Sequence, residues 1–497
     1  MILQRLIALL PFLLFAGNLS AAPKNVVLIC VDDLNDWVGC MGGHPQAKTP
    51  AIDSLAARGT LFTNAHCQAP ICGPSRASLL SGRYPHETGL YDQPRGKGKM
   101  TDDAKHFRGQ LLTEYFSRHG YQTLAAGKIT HGYPLATAVN KAGPSGSSGP
   151  KPKGPKPPAD VRFNFRPDYS QPFTGTQTDW AAFPQQDAQM PDYQTANWAI
   201  AELSQPRNTP FFLAVGFHRP HVPFYVPQKW FDLHPLDQVI LPEIKDNDLD
   251  DVPATGVRVH ELPRYPQLPW LRKNNNEQLR KCTQAYLACT TFVDAQVGRV
   301  IQAIKESPQA DNTIIVLLSD HGYHLGEKAR VSKHSLWEES TRVPLIIVEP
   351  GKHKPQVCSR PVGLIDLYPT LLELCSLPER QANSGNSLAP LLNEPTNPTV
   401  EWRKSILTTY ARGNNSLRSE RFRYIRYHDG SEELYDHRND PNEWTNLIDQ
   451  PDHQHKSIVT EFRSQLPTNE AEYHPAVGFG AVNAWFNQFY QQMRQDR

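Results

Sequence analysis

One stretch of the sequence combines a cysteine and an arginine at a spacing that suits anion chemistry. Within residues 71–83, Pro74 fits the first turn of a helix, where its missing N–H costs nothing, and Gly82 fits the helix end. Cys72 would then lie just before a helix N-terminus, where free N–H groups favour an anion. Arg76 comes about one turn later, so its guanidinium can reach the same point. The stretch therefore predicts an oxyanion pocket around one sulfur atom.

Other charged side chains follow predicted strands at the point where each strand ends. Asn25 to Val31 is an apolar, β-branched run typical of a central parallel strand, and Asp32 and Asp33 follow it directly. Adjacent carboxylates repel each other unless a cation or an arginine compensates them. Further polar residues after predicted strands or in the loops beyond them are Lys128, His131, His218, Asp320, His321 and Lys333. Taken singly, each fits a solvated loop or a satisfied buried side chain. Because ligands bind at the carboxyl edge of an open α/β sheet, we expect them to form one site with Cys72.

The elements that must position these residues alternate between strand and helix patterns. The clearest amphipathic helix is predicted over Asn276 to Glu306, and the alternation as a whole predicts an α/β fold with a mostly parallel sheet and helices on both faces. Beyond about Pro395 the pattern changes to short strands, which predict a smaller α+β subdomain with an antiparallel sheet. We therefore expect a catalytic domain over residues 23–395 and a C-terminal subdomain over residues 396–497.

The N-terminus has the features of a secretory signal peptide over residues 1–22. Arg5 supplies a positive charge, Leu6 to Ala16 form a short apolar run, and Ser20 to Ala22 form a small-residue cleavage zone. An uncleaved anchor is the alternative, but the run is short for a membrane span. We expect an exported protein, periplasmic or extracellular, without stable membrane insertion.

Composition excludes some classes of function. The 497 residues include 51 basic and 50 acidic side chains, so no overall field for a polyanion such as nucleic acid is expected. The chain has eight cysteines but no C-x-x-C pair, so a zinc ribbon or a thioredoxin-type motif is not supported.

The run Cys72-Gly73-Pro74-Ser75-Arg76, followed by Leu80-Ser81-Gly82-Arg83, resembles the signature of the type I sulfatases. The resemblance covers most of the chain and is closest to the iduronate-2-sulfatase branch. It is carried further by Val31-Asp32-Asp33-Leu34, Gly127-Lys128 with His131, His218-x-Pro-His221-x-Pro-Phe224, Ser319-Asp320-His321-Gly322 and Lys333. It implies an alkaline-phosphatase-like fold and the hydrolysis of sulfate monoesters.

The resemblance also implies cofactors and roles. In this family a maturation enzyme oxidises the cysteine to formylglycine, whose hydrate supplies the nucleophilic hydroxyl, so Cys72 is expected to be a precursor. The residues that resemble metal ligands are Asp32, Asp33, Asp320 and His321, together with the modified Cys72. The residues that resemble the groups around formylglycine, the sulfate and the departing oxygen are Arg76, Lys128, His131, His218 and Lys333. We expect His218 to protonate the leaving alcohol, a role that His221 could share, and His131 to accept a proton when the aldehyde re-forms.

The expected metal is one Ca²⁺ per chain, since three carboxylates and a hydrate oxygen suit a hard cation. His321 departs from an all-oxygen set and leaves a transition metal as the alternative. The expected substrate is a sulfated, uronic-acid-containing saccharide, with choline sulfate or an aryl sulfate still open. Two other functions remain open: a phosphonate or phosphate monoester hydrolase of the same fold, and a sulfoglycan-binding pseudoenzyme in which Cys72 is not modified.

Overall fold

The computed structural model describes residues 22–93, 110–131, 137–145, 178–260, 268–352, 354–450 and 452–474. The predicted signal peptide, apart from Ala22, lies outside these residues. The strands are β1 (Asn25–Asp32), β2 (Thr60–His66), β3 (Gln122–Gly127), β4 (Lys141–Ala142), β5 (Trp180–Ala182), β6 (Phe211–Pro220), β7 (Phe224–Val226), β8 (Thr313–Ser319), β9 (His324–Leu325), β10 (Val331–Ser332), β11 (Arg342–Val348), β12 (Gln356–Cys358), β13 (Val362–Gly363), β14 (Ser405–Thr409), β15 (Asn415–Ser419), β16 (Phe422–Arg426) and β17 (Glu432–Asp436).

The helices are α1 (Pro50–Ala56), α2 (Cys72–Ser81), α3 (Pro85–Thr88), α4 (Leu112–Arg118), α5 (Pro191–Leu203), α6 (Gln228–Phe231), α7 (Ala254–His260), α8 (Leu268–Leu271), α9 (Lys273–Glu306), α10 (Glu338–Thr341), α11 (Leu367–Leu374), α12 (Ala389–Asn393) and α13 (His453–Gln465). None of the helices within the described ranges has the length and apolar character needed to cross a membrane.

A central sheet organises the larger part of the molecule, in the order β12-β2-β11-β8-β1-β6-β3-β4, with β13 beside β2. The apolar run predicted as a central strand is β1, which is buried throughout and pairs in parallel with β6 and β8. The mostly parallel sheet is therefore confirmed.

One strand of this sheet runs the other way, which the sequence pattern did not predict. β11 is antiparallel to both β8 and β2. The chain leaves β8 at Ser319 and re-enters the sheet at Arg342, so residues 320–341 stay at the edge where β8 ends. Because of this reversal, Asp320, His321 and Lys333 remain on the same side of the sheet.

Side chains alternate along β1 and divide the core into two layers. Val26 and Leu28 pack with α2, α4 and α11, whereas Val27 and Ile29 pack with α1, α5 and α9. The amphipathic helix predicted over Asn276–Glu306 is confirmed within α9. Residues Asn274, Asn275 and Asn276 have left-handed backbone, with φ of 51°, 60° and 63°, so the regular helix follows them.

The smaller C-terminal sheet is confirmed as antiparallel, in the order β14-β15-β16-β17. β15 was not predicted, because its sequence Asn-Ser-Leu-Arg-Ser lacks the apolar alternation of a strand. α13 packs on this sheet, where the rings of Phe462 and Tyr424 stack with centroids 5.6 Å apart. The boundary expected near residue 395 stays a prediction.

Candidate active site

The carboxyl ends of β1, β3, β6 and β8 and the start of α2 bring the predicted residues together. Asp32 and Asp33 follow from β1, Lys128 from β3, and Asp320 from β8, where β1 and β8 pair directly. All four side chains are buried, as is Cys72 at the first position of α2.

Asp32 lies between two cationic side chains. Its Oδ1 is 3.3 Å from Nη2 of Arg76, and its Oδ2 accepts a short hydrogen bond from Nζ of Lys128. Burial acts to raise the pKa of Asp32, but the charges of Lys128, Arg76 and Lys333 hold that pKa well below its usual range. Asp32 is therefore an anion in this site.

Asp33 has a different electrostatic balance. Its Oδ1 accepts a hydrogen bond from Nζ of Lys333 (2.6 Å) and lies 3.3 Å from Nε2 of His321. Its Oδ2 is buried without a hydrogen-bond partner among the described residues and lies 4.0 Å from Nε2 of His221. Burial raises the pKa of Asp33 to about 7, with Asp32 adding to that shift. One lysine does not compensate this carboxylate fully.

The uncompensated carboxylate fits a bound cation. One ligand atom from each of Asp32, Asp33, Cys72 and His321 lies within 4.8 Å of the others. Nδ1 of His321 is 2.9 Å from the carbonyl oxygen of Gly322, which only accepts, so the proton belongs on Nδ1 and Nε2 can bind a metal. The residues present therefore suit a divalent cation.

Asp320 lies beside this group with both oxygens engaged. Its Oδ2 accepts from Nε of Arg76 (2.8 Å), and its Oδ1 accepts from the backbone N–H of Asp33 (3.3 Å). Oδ1 is also 3.7 Å from Nε2 of His321. Its place among the metal ligands stays a prediction.

Cys72 lies where the cationic and metal-ligating groups meet. Its Sγ is 3.2 Å from Nζ of Lys333 and 3.2 Å from Nε2 of His321. Burial raises the pKa of the Cys72 thiol, with Asp32 adding to the shift, so the unmodified residue is a protonated thiol and a poor nucleophile. The sequence pattern predicted that Cys72 would lie just before the helix, with Pro74 in the first turn. The helix instead begins at Cys72 itself.

Arg76 bonds to three elements of the sheet. Its guanidinium is fully buried and donates to Asp32, to Asp320 and to the carbonyl of Lys128, the last by a short hydrogen bond. Two buried carboxylates share its donors, so Arg76 ties β1, β3 and β8 together, and its expected part in the pocket around residue 72 stays a prediction.

Gly127 and Gly216 determine the position of Lys128. Gly127 has φ +75°, and a Cβ there would lie 1.8 Å from the carbonyl oxygen of Gly216, so no other residue fits between β3 and β6. The N–H of Lys128 then donates to that same oxygen (2.9 Å). His131 follows with a buried Nδ1 that has no partner among the described residues. Burial, with the charge of Lys128, lowers the pKa of His131 to about 3.

His218 and His221 have unequal surroundings. Nδ1 of His218 is buried without a hydrogen bond to any described residue and lies 4.0 Å from Asp192. His221 is bonded through Nδ1 to the Val222 carbonyl (2.6 Å) and faces Asp33 through Nε2. Burial lowers the pKa of both histidines well below its ordinary value, with Lys128 the next cause at His218 and Lys333 at His221. Both are neutral in this state.

Two residues that support the site were not singled out in the sequence. Asp192, near the start of α5, accepts from the backbone N–H of His218 (2.8 Å) and of Arg219 (2.9 Å). Tyr286 lies within the predicted amphipathic helix, and its hydroxyl donates to the carbonyl of Asp33 (2.8 Å). The only sequence signal for Asp192 is its place after a proline at a helix start.

Comparison with known proteins places this geometry in a family. A family model described as Sulfatase matches residues 24–377. The chain belongs to the sulfatase family. A second model, described as N-sulphoglucosamine sulphohydrolase, C-terminal, matches residues 326–472 of this sulfatase. Family membership confirms the sequence-based resemblance and makes the protein a sulfuric ester hydrolase.

Relatives of this sulfatase match most of its length. A sulfatase of Formosa agariphila is 41% identical over 457 residues, which cover 90% of this chain and 87% of that one. Iduronate 2-sulfatase of Mus musculus is 31% identical, with 73% of this chain and 70% of the relative covered. A delta 4,5-hexuronate-2-O-sulfatase of Bacteroides thetaiotaomicron is 30% identical, with 91% and 89% covered.

Solved structures of similar fold include a 2-O GAG sulfatase, with a TM-score of 0.68, 25% identity, and 95% of this chain and 94% of that chain covered. A phosphonate monoester hydrolase from Silicibacter pomeroyi also has a TM-score of 0.68, with 20% identity and 89% and 94% covered, a likeness of fold alone. The expected alkaline-phosphatase-like fold is confirmed.

Proposed function

We propose that this sulfatase hydrolyses sulfate esters on a uronic-acid-containing saccharide, with formylglycine derived from Cys72 and a bound Ca²⁺. The observation that carries the proposal is the position of the Cys72 sulfur, 3.2 Å from both Lys333 Nζ and His321 Nε2 and next to the undercompensated Asp33. A reacting oxygen at that point would lie between a cation and a lysine.

The residues that would hold the cation are Asp32, Asp33, Asp320 and His321, with the modified residue 72. When bound, the cation offsets negative charge on the sulfate, and the formylglycine hydrate supplies a hydroxyl nucleophile. The mainly carboxylate donor set suits Ca²⁺, and the imidazole of His321 leaves a transition metal as an outcome to test.

The cationic side chains have separate tasks in the proposal. Lys333 and Lys128 would orient the sulfate and neutralise the charge that develops during cleavage, since both amino groups are buried and already lie beside carboxylates. Arg76 would act indirectly, by holding Asp32 and Asp320 in place.

We assign the two proton transfers of the reaction to His131 and His218. His131 is neutral and so suits a proton acceptor. His218 is the proposed proton donor to the leaving alcohol, because its Nδ1 makes no hydrogen bond to the described residues, whereas Nδ1 of His221 is bonded to the carbonyl of Val222 (2.6 Å). His218 is neutral without ligand, so this role requires the negative charge of the bound ester to raise its pKa.

The substrate class is supported by two relatives that cover most of this chain and whose names specify a hexuronate or iduronate 2-sulfate. Export is proposed on the charge, apolar run and small-residue zone of residues 1–22. A cleaved N-terminus near Pro23 in protein recovered from the periplasm or medium would support it, and retention of the full leader in the membrane would contradict it.

The function is tested by producing the protein together with a formylglycine-generating enzyme and screening defined sulfated oligosaccharides. We expect release of sulfate from a 2-sulfated uronic acid at a chain end, and no release by the Cys72→Ala variant. Paired assays on aryl sulfate and aryl phosphate give the competing outcome, since faster cleavage of the phosphate would favour a phosphomonoesterase or phosphonate hydrolase. Tight binding of sulfated glycans without turnover would favour a pseudoenzyme.

A further inference from the structure

Lys333 belongs to a short segment, Lys333–Glu338, whose conformation is unusual at the residue after the lysine. On the upstream side, β10 ends at Ser332, which pairs with β9. On the downstream side, His334 has a left-handed backbone, with φ 71°, a conformation that a residue with a Cβ adopts only when its surroundings hold it. Its N–H donates to the carbonyl of Pro70 (3.1 Å), two residues before Cys72. The direction of Lys333 therefore depends on what anchors the rest of the segment.

A buried arginine of the C-terminal sheet supplies that anchor. Arg423, on β16, is fully buried. Its Nη1 donates to the carbonyl of Leu336 (2.9 Å), its Nη2 donates to Oγ1 of Thr341 (3.0 Å), and it forms a short ion pair with Glu338. A planar guanidinium that bonds several points along one segment fixes the direction of that segment.

Further bonds from the same subdomain reach the same segment. Nε1 of Trp337 donates to Glu433 (2.9 Å), and the N–H of Glu338 donates to Glu443 (2.9 Å). The hydroxyl of Tyr410 lies 3.4 Å from Nδ1 of His334. The segment that carries Lys333 is therefore held from the C-terminal subdomain at several of its residues.

These contacts also decide the role of a cluster that resembles a metal site. Glu338, His437 and Glu443 place one donor atom each within 4.8 Å of one another. Nε of Arg418 lies 3.1 Å from Glu338, and Nε of Arg423 lies 2.5 Å from Glu443. The carboxylates are already compensated by guanidinium groups, so the cluster is an ionic junction between α10 and the C-terminal sheet.

We infer that Arg423 is a positioning residue for the sulfatase reaction: it holds the Lys333–Glu338 segment so that the amino group of Lys333 points at residue 72. The C-terminal subdomain thus contributes to catalysis without contacting substrate. The inference rests on the proposed role of Lys333 in sulfate cleavage.

The test compares Arg423→Lys and Trp337→Phe with Arg421→Lys. Arg421→Lys is the matched control, because the guanidinium of Arg421 pairs with Asp436 (2.8 and 2.7 Å) inside the C-terminal sheet and not with the Lys333–Glu338 segment. Trp337→Phe removes one hydrogen bond and keeps an aromatic ring, so it remains informative if the arginine variant does not fold. On an aryl sulfate, with equal formylglycine content, we expect kcat to fall about 10- to 100-fold in Arg423→Lys, with KM changed much less, and to stay near wild type in the control.

A second readout is independent of sulfatase activity. The amino groups of Lys333 and Lys128 are both nearly buried, but only Lys333 belongs to the held segment. We measure the acylation rate of each lysine by mass spectrometry and expect Arg423→Lys and Trp337→Phe to raise the rate at Lys333 but not at Lys128. An equal rise at both lysines, or unchanged labelling and kcat in both variants, would overturn the inference. If the wild-type protein cleaves no sulfate ester, the proposed function fails, while the labelling still tests the positioning.

Discussion

Replacing Lys333 by methionine is expected to have two opposite effects, on catalysis and on cation binding. The amino group of Lys333 is 2.6 Å from Oδ1 of Asp33 and 3.2 Å from the sulfur of Cys72. It therefore serves the reacting residue and at the same time competes with a cation for Asp33. Removal of its charge should slow turnover and strengthen binding of Ca²⁺.

The magnitudes follow from these distances. Loss of one preorganised donor to developing negative charge costs about 100- to 1,000-fold in kcat, or roughly 3–4 kcal/mol. A Ca²⁺ ion about 2.4 Å from Oδ1 of Asp33 would lie within about 5 Å of the amino group. A divalent ion and a unit positive charge at that distance repel by about 7 kcal/mol at an effective dielectric constant of about 20, and reorganisation of the site and solvent reduces the net effect. We therefore expect Ca²⁺ binding to tighten by at least about tenfold in Lys333→Met.

Calorimetric titration of metal-free protein with Ca²⁺ measures the second effect, and initial rates on 4-nitrophenyl sulfate measure the first. Lys352→Met is the control, because Lys352 pairs with Glu349 (2.7 Å) and its side chain is half exposed. Both quantities should stay near wild type in that variant. Weaker Ca²⁺ binding by Lys333→Met, or a kcat within about twofold of wild type, would refute the reasoning.

Three further variants test other parts of the site. Gly127→Ala should lower the free energy of unfolding by about 3 kcal/mol or more, because the φ of residue 127 is +75° and the new Cβ would lie 1.8 Å from the carbonyl oxygen of Gly216. Urea unfolding measures this change, and an unchanged midpoint would contradict the close approach of the two strands. Tyr286→Phe should lower the free energy of unfolding by about 1–2 kcal/mol, because the carbonyl of Asp33 loses its donor at 2.8 Å. A decrease below about 0.5 kcal/mol in the same urea unfolding experiment would show that this hydrogen bond contributes little. His218→Ala should slow esters of weakly acidic alcohols by about 100-fold or more and spare esters with very acidic leaving groups; an equal loss on every ester would count against the proton-donor role.

The convergence of the site residues could be predicted from the sequence for a physical reason. Asp32 and Asp320 each come at the end of an apolar, β-branched run, and such runs form parallel strands whose carboxyl ends share an edge. The sheet then brings them within reach of one arginine, Arg76, although 244 residues separate Arg76 from Asp320. The similarity around Cys72 supplied the chemistry, which no periodicity contains.

Other features depend on distant partners and could not be predicted in this way. The apolar pattern of β11 is the same whichever way the strand runs, so its reversal had no sequence signal. The carboxylate partners of Arg76 were not predicted, because local spacing does not say which carboxylates a buried guanidinium will meet. Asp192 and Arg423 were missed, since they act on residues 26 and 85 positions away.

The most direct test of the account is the chemical state of residue 72 in active protein. The peptide that contains this residue is analysed by mass spectrometry in preparations made with different amounts of the maturation enzyme, and sulfatase activity is measured on each. The account predicts an aldehyde at position 72 and activity proportional to the fraction converted. Full activity from protein that retains a cysteine thiol there would contradict it.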